Sequence, residues 1–139
     1  MAFLSVGQEP KKGRRLYLME ITLPSKMVVV KIGVASGGNS TSRMMQIVES
    51  IYQKLRRTPM VYIKRDREVP ADMVFKYESM LHQFFKAYQY ESKTRWDGVT
   101  ECFTIPLEDA VQAYEAVIEG NVPDFTYEMP EVVEDALVF

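Results

Sequence analysis

The stretch that decides the fold covers residues 15–34 and reads RLYLMEITLPSKMVVVKIGV. Two runs rich in β-forming side chains, residues 16–23 and 27–34, flank the tripeptide Pro24-Ser25-Lys26. Proline and serine are common in tight turns, and a short turn between two such runs is typical of an antiparallel hairpin. We therefore predict that this stretch forms a hairpin and that the sheet of the domain is built around it.

The register of this hairpin predicts which side chains meet. A symmetric three-residue loop would set Met19 opposite Lys31, and Tyr17 opposite Gly33. Residues of equal parity share one face of a sheet, so Tyr17 and Lys31 would be diagonal neighbours, about 7–8 Å apart at the backbone. Their tips can then meet, although Tyr17 is also a good strand former that could simply pack. Lysine is seldom fully buried, so Lys31 within an apolar strand indicates either a special role or a face open to water.

The elements that follow the hairpin alternate between helices and strands. We predict a first helix capped by Thr41 or Ser42 and ending near residue 57, with Arg43 in its first turn. The later elements are a strand over residues 58–64, a helix starting with Pro70 and reaching about residue 90, a strand over residues 99–105, and a helix opened by Pro106 that stops at Gly120. The order ββαβαβα indicates an α+β fold with an antiparallel sheet flanked by helices.

The chain of 139 residues divides into a single domain with two extensions. Residues 1–13 read as a flexible basic arm, residues 14–120 as the folded domain, and residues 121–139 as an acidic C-terminal tail. The tail carries three aromatic residues that could dock on its own domain or on a protein partner: Phe125, Tyr127 and Phe139. The alternative is that the tail is a disordered, solubilising terminus.

Composition excludes several classes of protein. Cys102 and His82 are the only residues of their types, so an internal disulfide and a thiolate–imidazole zinc site within one chain are both excluded. Any metal ion should be hard and oxygen-bound. The chain contains neither a long apolar run nor a signal-peptide pattern, so we expect no membrane contact and a cytoplasmic location.

Charge is distributed unevenly along the chain. All 17 Lys and Arg residues lie within residues 1–96, whereas residues 97–139 hold 11 of the 19 Asp and Glu residues. Basic clusters favour binding of a polyanion if they converge in space. The alternative is that these residues lie on solvated loops and helix ends. The candidate nucleic-acid-binding residues are Arg14, Arg15, Lys54, Arg56, Arg57 and Trp96. Trp96 would stack on a base, although a packed anchor is the more common role for tryptophan.

Five polar residues recur in the order of a known nuclease pattern: Tyr17, Lys31, Arg43, Glu78 and His82. The segments that carry them are RLY at 15–17, KIG at 31–33, SR at 42–43 and ESMLH at 78–82. Together they resemble the GIY-YIG nuclease superfamily, and in particular its divergent phage and bacterial branch in which the second motif reads KIG. The resemblance covers residues 14–119 and extends loosely to TECF at 100–103, where Glu101 is the candidate counterpart of an asparagine found in many members.

The resemblance implies a role for each residue in DNA hydrolysis. Glu78 would hold one Mg²⁺ or Mn²⁺, and Arg43 would grip the scissile phosphate with its planar fork. Tyr17 would act as the general base. A free phenol has a pKa of about 10, so it needs a neighbouring cation such as Lys31 to act near neutral pH. His82 would relay a proton or bind a phosphate.

The predicted function is metal-dependent cleavage of DNA to a 5′-phosphate and a 3′-hydroxyl. The alternative is a catalytically inactive module of the same fold that acts as an adaptor or inhibitor of a protein or nucleic-acid partner. A third reading, an RNA-binding sheet that stacks bases on aromatic side chains, is less favoured because the strands are poor in exposed aromatics. The sequence does not determine the oligomeric state.

Overall fold

The computed structural model describes residues 13–36 and 39–121. Its strands and helices, in chain order, are β1 (Arg14–Thr22), β2 (Val28–Ala35), α1 (Thr41–Leu55), β3 (Met60–Val69), α2 (Ala71–Phe84), β4 (Cys102–Phe103) and α3 (Leu107–Ile118). The predicted order ββαβαβα and the α+β class are confirmed. The predicted arm and tail lie outside the described residues except for Gly13 and Asn121, so both stay predictions.

A four-stranded antiparallel sheet with strand order β3-β1-β2-β4 forms the centre of the domain. Its central pair is the predicted hairpin, and the predicted register is confirmed: Tyr17 pairs with Gly33, and Met19 pairs with Lys31. The turn closes with a hydrogen bond from the Leu23 amide to the Met27 carbonyl (2.8 Å). The register therefore fixes which residues of β1 and β2 share a face.

Helices cover both faces of the sheet, which gives three layers. On one face, Leu16, Leu18 and Ile32 pack against apolar side chains of α2 and α3. On the other face, Tyr17, Met19 and Ile21 of β1 pack in one cluster with Ile47 and Ile51 of α1. Tyr17 and Lys31 lie in the α1 layer because their parity places them on that face.

The last strand and the end of α2 differ from the sequence prediction. Strand β4 has only two residues because residues 99–101 form a 3₁₀ turn after Gly98, whose φ is +88°. Helix α2 ends at Phe84 instead of near residue 90, because the chain after it runs alongside β4. There the Tyr90 amide binds the Cys102 carbonyl at 2.8 Å, and the Thr104 amide binds the Tyr88 carbonyl at 2.8 Å. The hydrogen bonds along β4 therefore end the helix early.

Strand β3 is longer than the predicted strand over residues 58–64. It pairs with the whole length of β1 and contains an irregularity in register opposite Leu18 and Met19. None of the helices in the described part of the chain has the length and apolarity needed to cross a membrane.

Helix α3 is fixed to the sheet by a buried tyrosine. The Tyr114 hydroxyl donates a 2.6 Å hydrogen bond to the Leu16 carbonyl, 98 positions earlier in the chain. Burial raises the pKa of Tyr114 to about 12. The side chain therefore stays neutral and keeps donating at all ordinary pH values.

Replacement of Tyr114 with phenylalanine tests this anchor. We expect Tyr114→Phe to lower the free energy of unfolding by about 1 kcal/mol, because one buried hydrogen bond is lost while the ring stays packed. Urea denaturation followed by circular dichroism measures the change. Tyr52→Phe is the matched control, since the Tyr52 side chain on α1 is exposed. Equal stability of the two variants would contradict the anchoring role.

Gly33 is required by the side chains that cross it. A Cβ atom at Gly33 would collide with the hydroxyl and ring of Tyr17 and would lie 2.9 Å from the Lys31 Nζ. We expect Gly33→Ala to lower the free energy of unfolding by about 1–3 kcal/mol through overpacking. In a Tyr17→Leu background, where the ring is absent, the same substitution should cost much less. Urea denaturation of the four proteins provides this double-mutant cycle, and an equal cost in both backgrounds would disprove the steric explanation.

Candidate active site

The centre of the candidate site is a buried pair on the hairpin. The Lys31 Nζ donates a 2.5 Å hydrogen bond to the Tyr17 hydroxyl and lies 4.8 Å from the centre of the tyrosine ring. Both side chains have 0% exposure. The sheet therefore brings a phenol and an amine together, as the hairpin register predicts, but it places them beneath the surface.

Glu101 completes the environment of the Lys31 amine. Its Oε1 accepts a hydrogen bond from Lys31 Nζ at 2.7 Å, and its side chain is about one-third exposed. Burial alone lowers the pKa of Lys31, but the electrostatic interactions and hydrogen bonds with Tyr17 and Glu101 outweigh this effect, so the pKa is raised overall. Lys31 is thus a buried ammonium ion with two acceptors.

The loop formed by Trp96, Asp97 and Gly98 covers this pair. A Cβ atom at Gly98 would collide with the Cε of Lys31, and Gly98 also adopts a left-handed φ of +88°. Trp96 is only 4% exposed and packs among the residues of the α1 layer. It therefore anchors the loop in this conformation, which is the alternative given for it above, and binding of a nucleic-acid base by Trp96 stays a prediction.

Arg43 projects from the first turn of α1 and meets Tyr17 from the helix side. Its Nη1 donates to Asp97 Oδ2 at 2.7 Å and to Gln46 Oε1 at 3.0 Å. Burial lowers the pKa of Arg43, but hydrogen bonds to Asp97 and to Tyr17 raise it by more. Lys31, by a direct hydrogen bond, and Arg43, by its electrostatic effect, therefore both interact with Tyr17.

The start of α1 is positioned by an acid on β3. Ser40, not Thr41 or Ser42, precedes the first helical residue, and its amide and hydroxyl both bind the Asp66 carboxylate (3.0 and 2.9 Å). Arg15 binds the same carboxylate at 2.8 Å and the Asp66 carbonyl at 2.7 Å. Arg15, a candidate for nucleic-acid binding, is therefore part of an internal ion pair that holds the sheet to α1 near Arg43.

Glu78 and His82 lie one turn apart on α2. His82 Nε2 donates to the Ile32 carbonyl at 2.7 Å and lies 4.0 Å from Glu78 Oε2. Burial is the main cause that raises the pKa of Glu78, the negative charge of Glu101 adds to it, and His82 and Lys31 oppose it. Glu78 is thus electrostatically linked to both Glu101 and Lys31, which connects α2 to the hairpin pair.

The acidic residues of the site are suited to a metal ion that takes most of its ligands from water and phosphate oxygens. Within the described residues, no group of three or more His, Cys, Asp and Glu side chains is arranged to hold a metal ion. Glu78 and Glu101 repel each other, and a divalent cation bound near them would relieve this repulsion. Mg²⁺ commonly keeps several waters and binds only one or two carboxylates plus phosphate oxygens, so the residues present are compatible with such an ion.

The remaining candidate basic residues lie apart from the buried pair. The Arg14 guanidinium stacks 5.3 Å from the ring centre of Phe75. Lys54, Arg56 and Arg57 are exposed around the C-terminal end of α1, and Lys54 borders a concave surface shared with Asp97. This concave surface therefore extends from Lys54 to Asp97, the residue that is paired with Arg43.

Sequence reasoning missed two residues of the site. Asp97 was not identified as a partner of Arg43, and Gly98 was not identified as a packing requirement of Lys31. The available signal was the WDG tripeptide at residues 96–98, in which an acid and a glycine follow a large anchor.

Comparison with known families agrees with the extent of this domain. The model of the T5orf172 domain matches residues 15–118, which spans every element of the fold from β1 to α3. No curated protein and no solved structure matches the chain. T5orf172 is a phage-associated domain whose occurrence is suggestive of nuclease activity in general. Because the match covers most of the chain, the protein belongs to the T5orf172 domain family.

Proposed function

We propose that this protein is a compact, metal-dependent nuclease that is located in the cytoplasm and hydrolyses phosphodiester bonds of DNA. The observation that carries the proposal is the hydrogen bond of the Lys31 ammonium to the Tyr17 hydroxyl, with Arg43 in electrostatic range of Tyr17 and the carboxylates of Glu78 and Glu101 in electrostatic range of Lys31. The nuclease character of the T5orf172 family and the resemblance to the GIY-YIG pattern both support it.

Tyr17 is the proposed general base. The Lys31 ammonium donates to the phenolic oxygen, and the Arg43 guanidinium lies within electrostatic range of Tyr17. Two positive charges nearby would stabilise a phenolate, which forms when the hydroxyl proton passes to solvent and which then takes a proton from the attacking water as the water oxygen bonds to phosphorus. Glu101 keeps Lys31 protonated and in place.

Arg43 is the proposed phosphate ligand. Its planar guanidinium can donate two parallel hydrogen bonds to one phosphate, which a lysine cannot reproduce. It sits in the first turn of α1, a helix of 15 residues, where the backbone dipole also favours an anion. In this role Arg43 would stabilise the charge that builds up as the phosphorus–oxygen bond breaks.

Glu78, with Glu101 beside it, would hold the Mg²⁺ or Mn²⁺ ion. When bound, such an ion polarises a phosphate oxygen and stabilises the leaving oxygen. His82 is held between the Ile32 carbonyl and Glu78, so we propose that it orients the Glu78 carboxylate and carries a proton at its other ring nitrogen.

A second candidate function is binding without catalysis, as an adaptor or inhibitor of a nucleic-acid or protein partner. The observation that favours it is the complete burial of Tyr17. The side chain has 0% exposure, so it cannot contact an attacking water molecule in this conformation. Under this alternative, Tyr17 and Lys31 are a buried structural pair, and Arg43 with the basic end of α1 provides only binding.

Substitutions at the proposed base and metal ligand test catalysis. We expect Tyr17→Phe and Glu78→Ala each to lower the rate of nicking by about 10²- to 10⁴-fold, because one removes the proton acceptor and the other the metal ligand. Nicking of supercoiled plasmid in Mg²⁺ or Mn²⁺, with a chelator as the zero-activity reference, measures the rate.

Matched variants and a folding check complete the assay. Asp72→Ala is the control for Glu78→Ala, since Asp72 is an exposed acid in the first turn of the same helix. Circular dichroism should show all variants folded. Cleavage by Glu78→Ala at the wild-type rate would rule out the proposed metal site. A wild-type protein that binds DNA but never nicks it would favour the second candidate function.

A further inference from the structure

Arg43 already holds an anionic group, the carboxylate of Asp97. Its Nη1 lies 2.7 Å from Asp97 Oδ2, and its Nη2 lies 3.4 Å from Asp97 Oδ1. The two oxygens of one carboxylate therefore face the two terminal nitrogens of one guanidinium. This is the fork geometry in which arginine also recognises the oxygens of a phosphate.

The backbone around Asp97 is fixed by contacts with the α1 layer, whereas its side chain reaches solvent. The Asp97 amide donates to the Ser50 hydroxyl of α1 at 2.7 Å, and the preceding Trp96 is buried in the α1 layer. The Asp97 side chain, in contrast, is 50% exposed, and that of Arg43 is 25% exposed. The carboxylate can thus turn into solvent without unfolding the loop that carries it.

We propose that, in the DNA-free protein, the Asp97 carboxylate occupies the position on Arg43 that a DNA phosphate takes, so that substrate binding exchanges one for the other. This inference rests on the proposed role of Arg43 as a phosphate ligand. Without the exchange, a phosphate approaching Arg43 would meet the negative charge of Asp97 at hydrogen-bond distance.

The Arg43–Asp97 pair lies beside the buried Tyr17 and Lys31, so the exchange would control which anions reach this site. Arg43 lies within electrostatic range of Tyr17, which is fully buried, and Gly98 next to Asp97 packs against Lys31. Release of Arg43 from Asp97 therefore frees a cation that reaches solvent, whereas Lys31 is fully buried. In this way Asp97 would limit binding of weak or incidental anions, because each must first displace an intramolecular partner that is always present.

The test compares DNA binding by the full-length wild type and Asp97→Asn. Fluorescence anisotropy of a labelled DNA duplex is recorded at low salt in the presence of a chelator, so that cleavage does not interfere. Removal of an exposed competing ion pair should lower Kd by about two- to fivefold. Glu49→Gln is the matched control, because Glu49 is an exposed acid that lines the same concave surface as Asp97. It should lower Kd by clearly less.

The Arg43→Ala background separates the exchange from a general charge effect. There, Asp97→Asn should change Kd no more than Glu49→Gln does, because no guanidinium remains to be released. An equal gain from Asp97→Asn in both backgrounds would overturn the inference, as would a gain equal to that of Glu49→Gln in the wild-type background. Weaker binding by Asp97→Asn would also overturn it and would show that Asp97 orients Arg43.

Failure of this inference and failure of the nuclease proposal have different signatures. The exchange is read from binding without metal, whereas catalysis is read from plasmid nicking with metal. A wild type that binds DNA but does not nick it leaves the Asp97 comparison fully informative. Absence of DNA binding by both the wild type and Asp97→Asn would overturn the inference, because Arg43 would then have no phosphate to exchange.

Discussion

The buried ammonium of Lys31 is the constraint on which the rest of the site depends. A charge with 0% exposure is tolerated only when its donors are satisfied, and here Tyr17 and Glu101 supply the acceptors. Gly98 leaves space for the Lys31 side chain, and Gly33 leaves space for the Tyr17 ring and the amine that meets it. The buried lysine and its tyrosine partner thereby account for the glycines of the KIG and WDG segments and for the acid Glu101 before β4.

Charged residues from the helices on both faces of the sheet lie near Lys31 and its partner Tyr17. Helix α1 brings Arg43 within electrostatic range of Tyr17, and α2 brings Glu78 within electrostatic range of Glu101 and Lys31. The acid Asp66 fixes the start of α1 through Ser40, so the position of Arg43 depends on β3 as well. The proposed phosphodiester chemistry needs cations for the phosphate and base and acids for a metal ion, and the hairpin with its two helix layers contains both kinds of group.

Much of this arrangement was predictable because it follows from local patterns. Alternation of apolar residues and a turn tripeptide gave the hairpin with its register, and helical spacing placed Arg43 in a first turn and Glu78 beside His82. The extents of β4 and α2 were wrong, since hydrogen bonds between residues 88–90 and 102–104 end the helix early. Trp96 is packed into the α1 layer, which is the alternative to base stacking that the sequence left open.

The sequence by itself determined the α+β order, the antiparallel hairpin and the meeting of Tyr17 with Lys31, because strand parity and turn length fix those through short-range geometry. Only the tertiary structure decided that the pair is buried, that Glu101 neutralises it and that Asp97 holds Arg43. These contacts join residues 54 to 70 positions apart. Their formation depends on how a loop folds over the sheet, which no local pattern encodes.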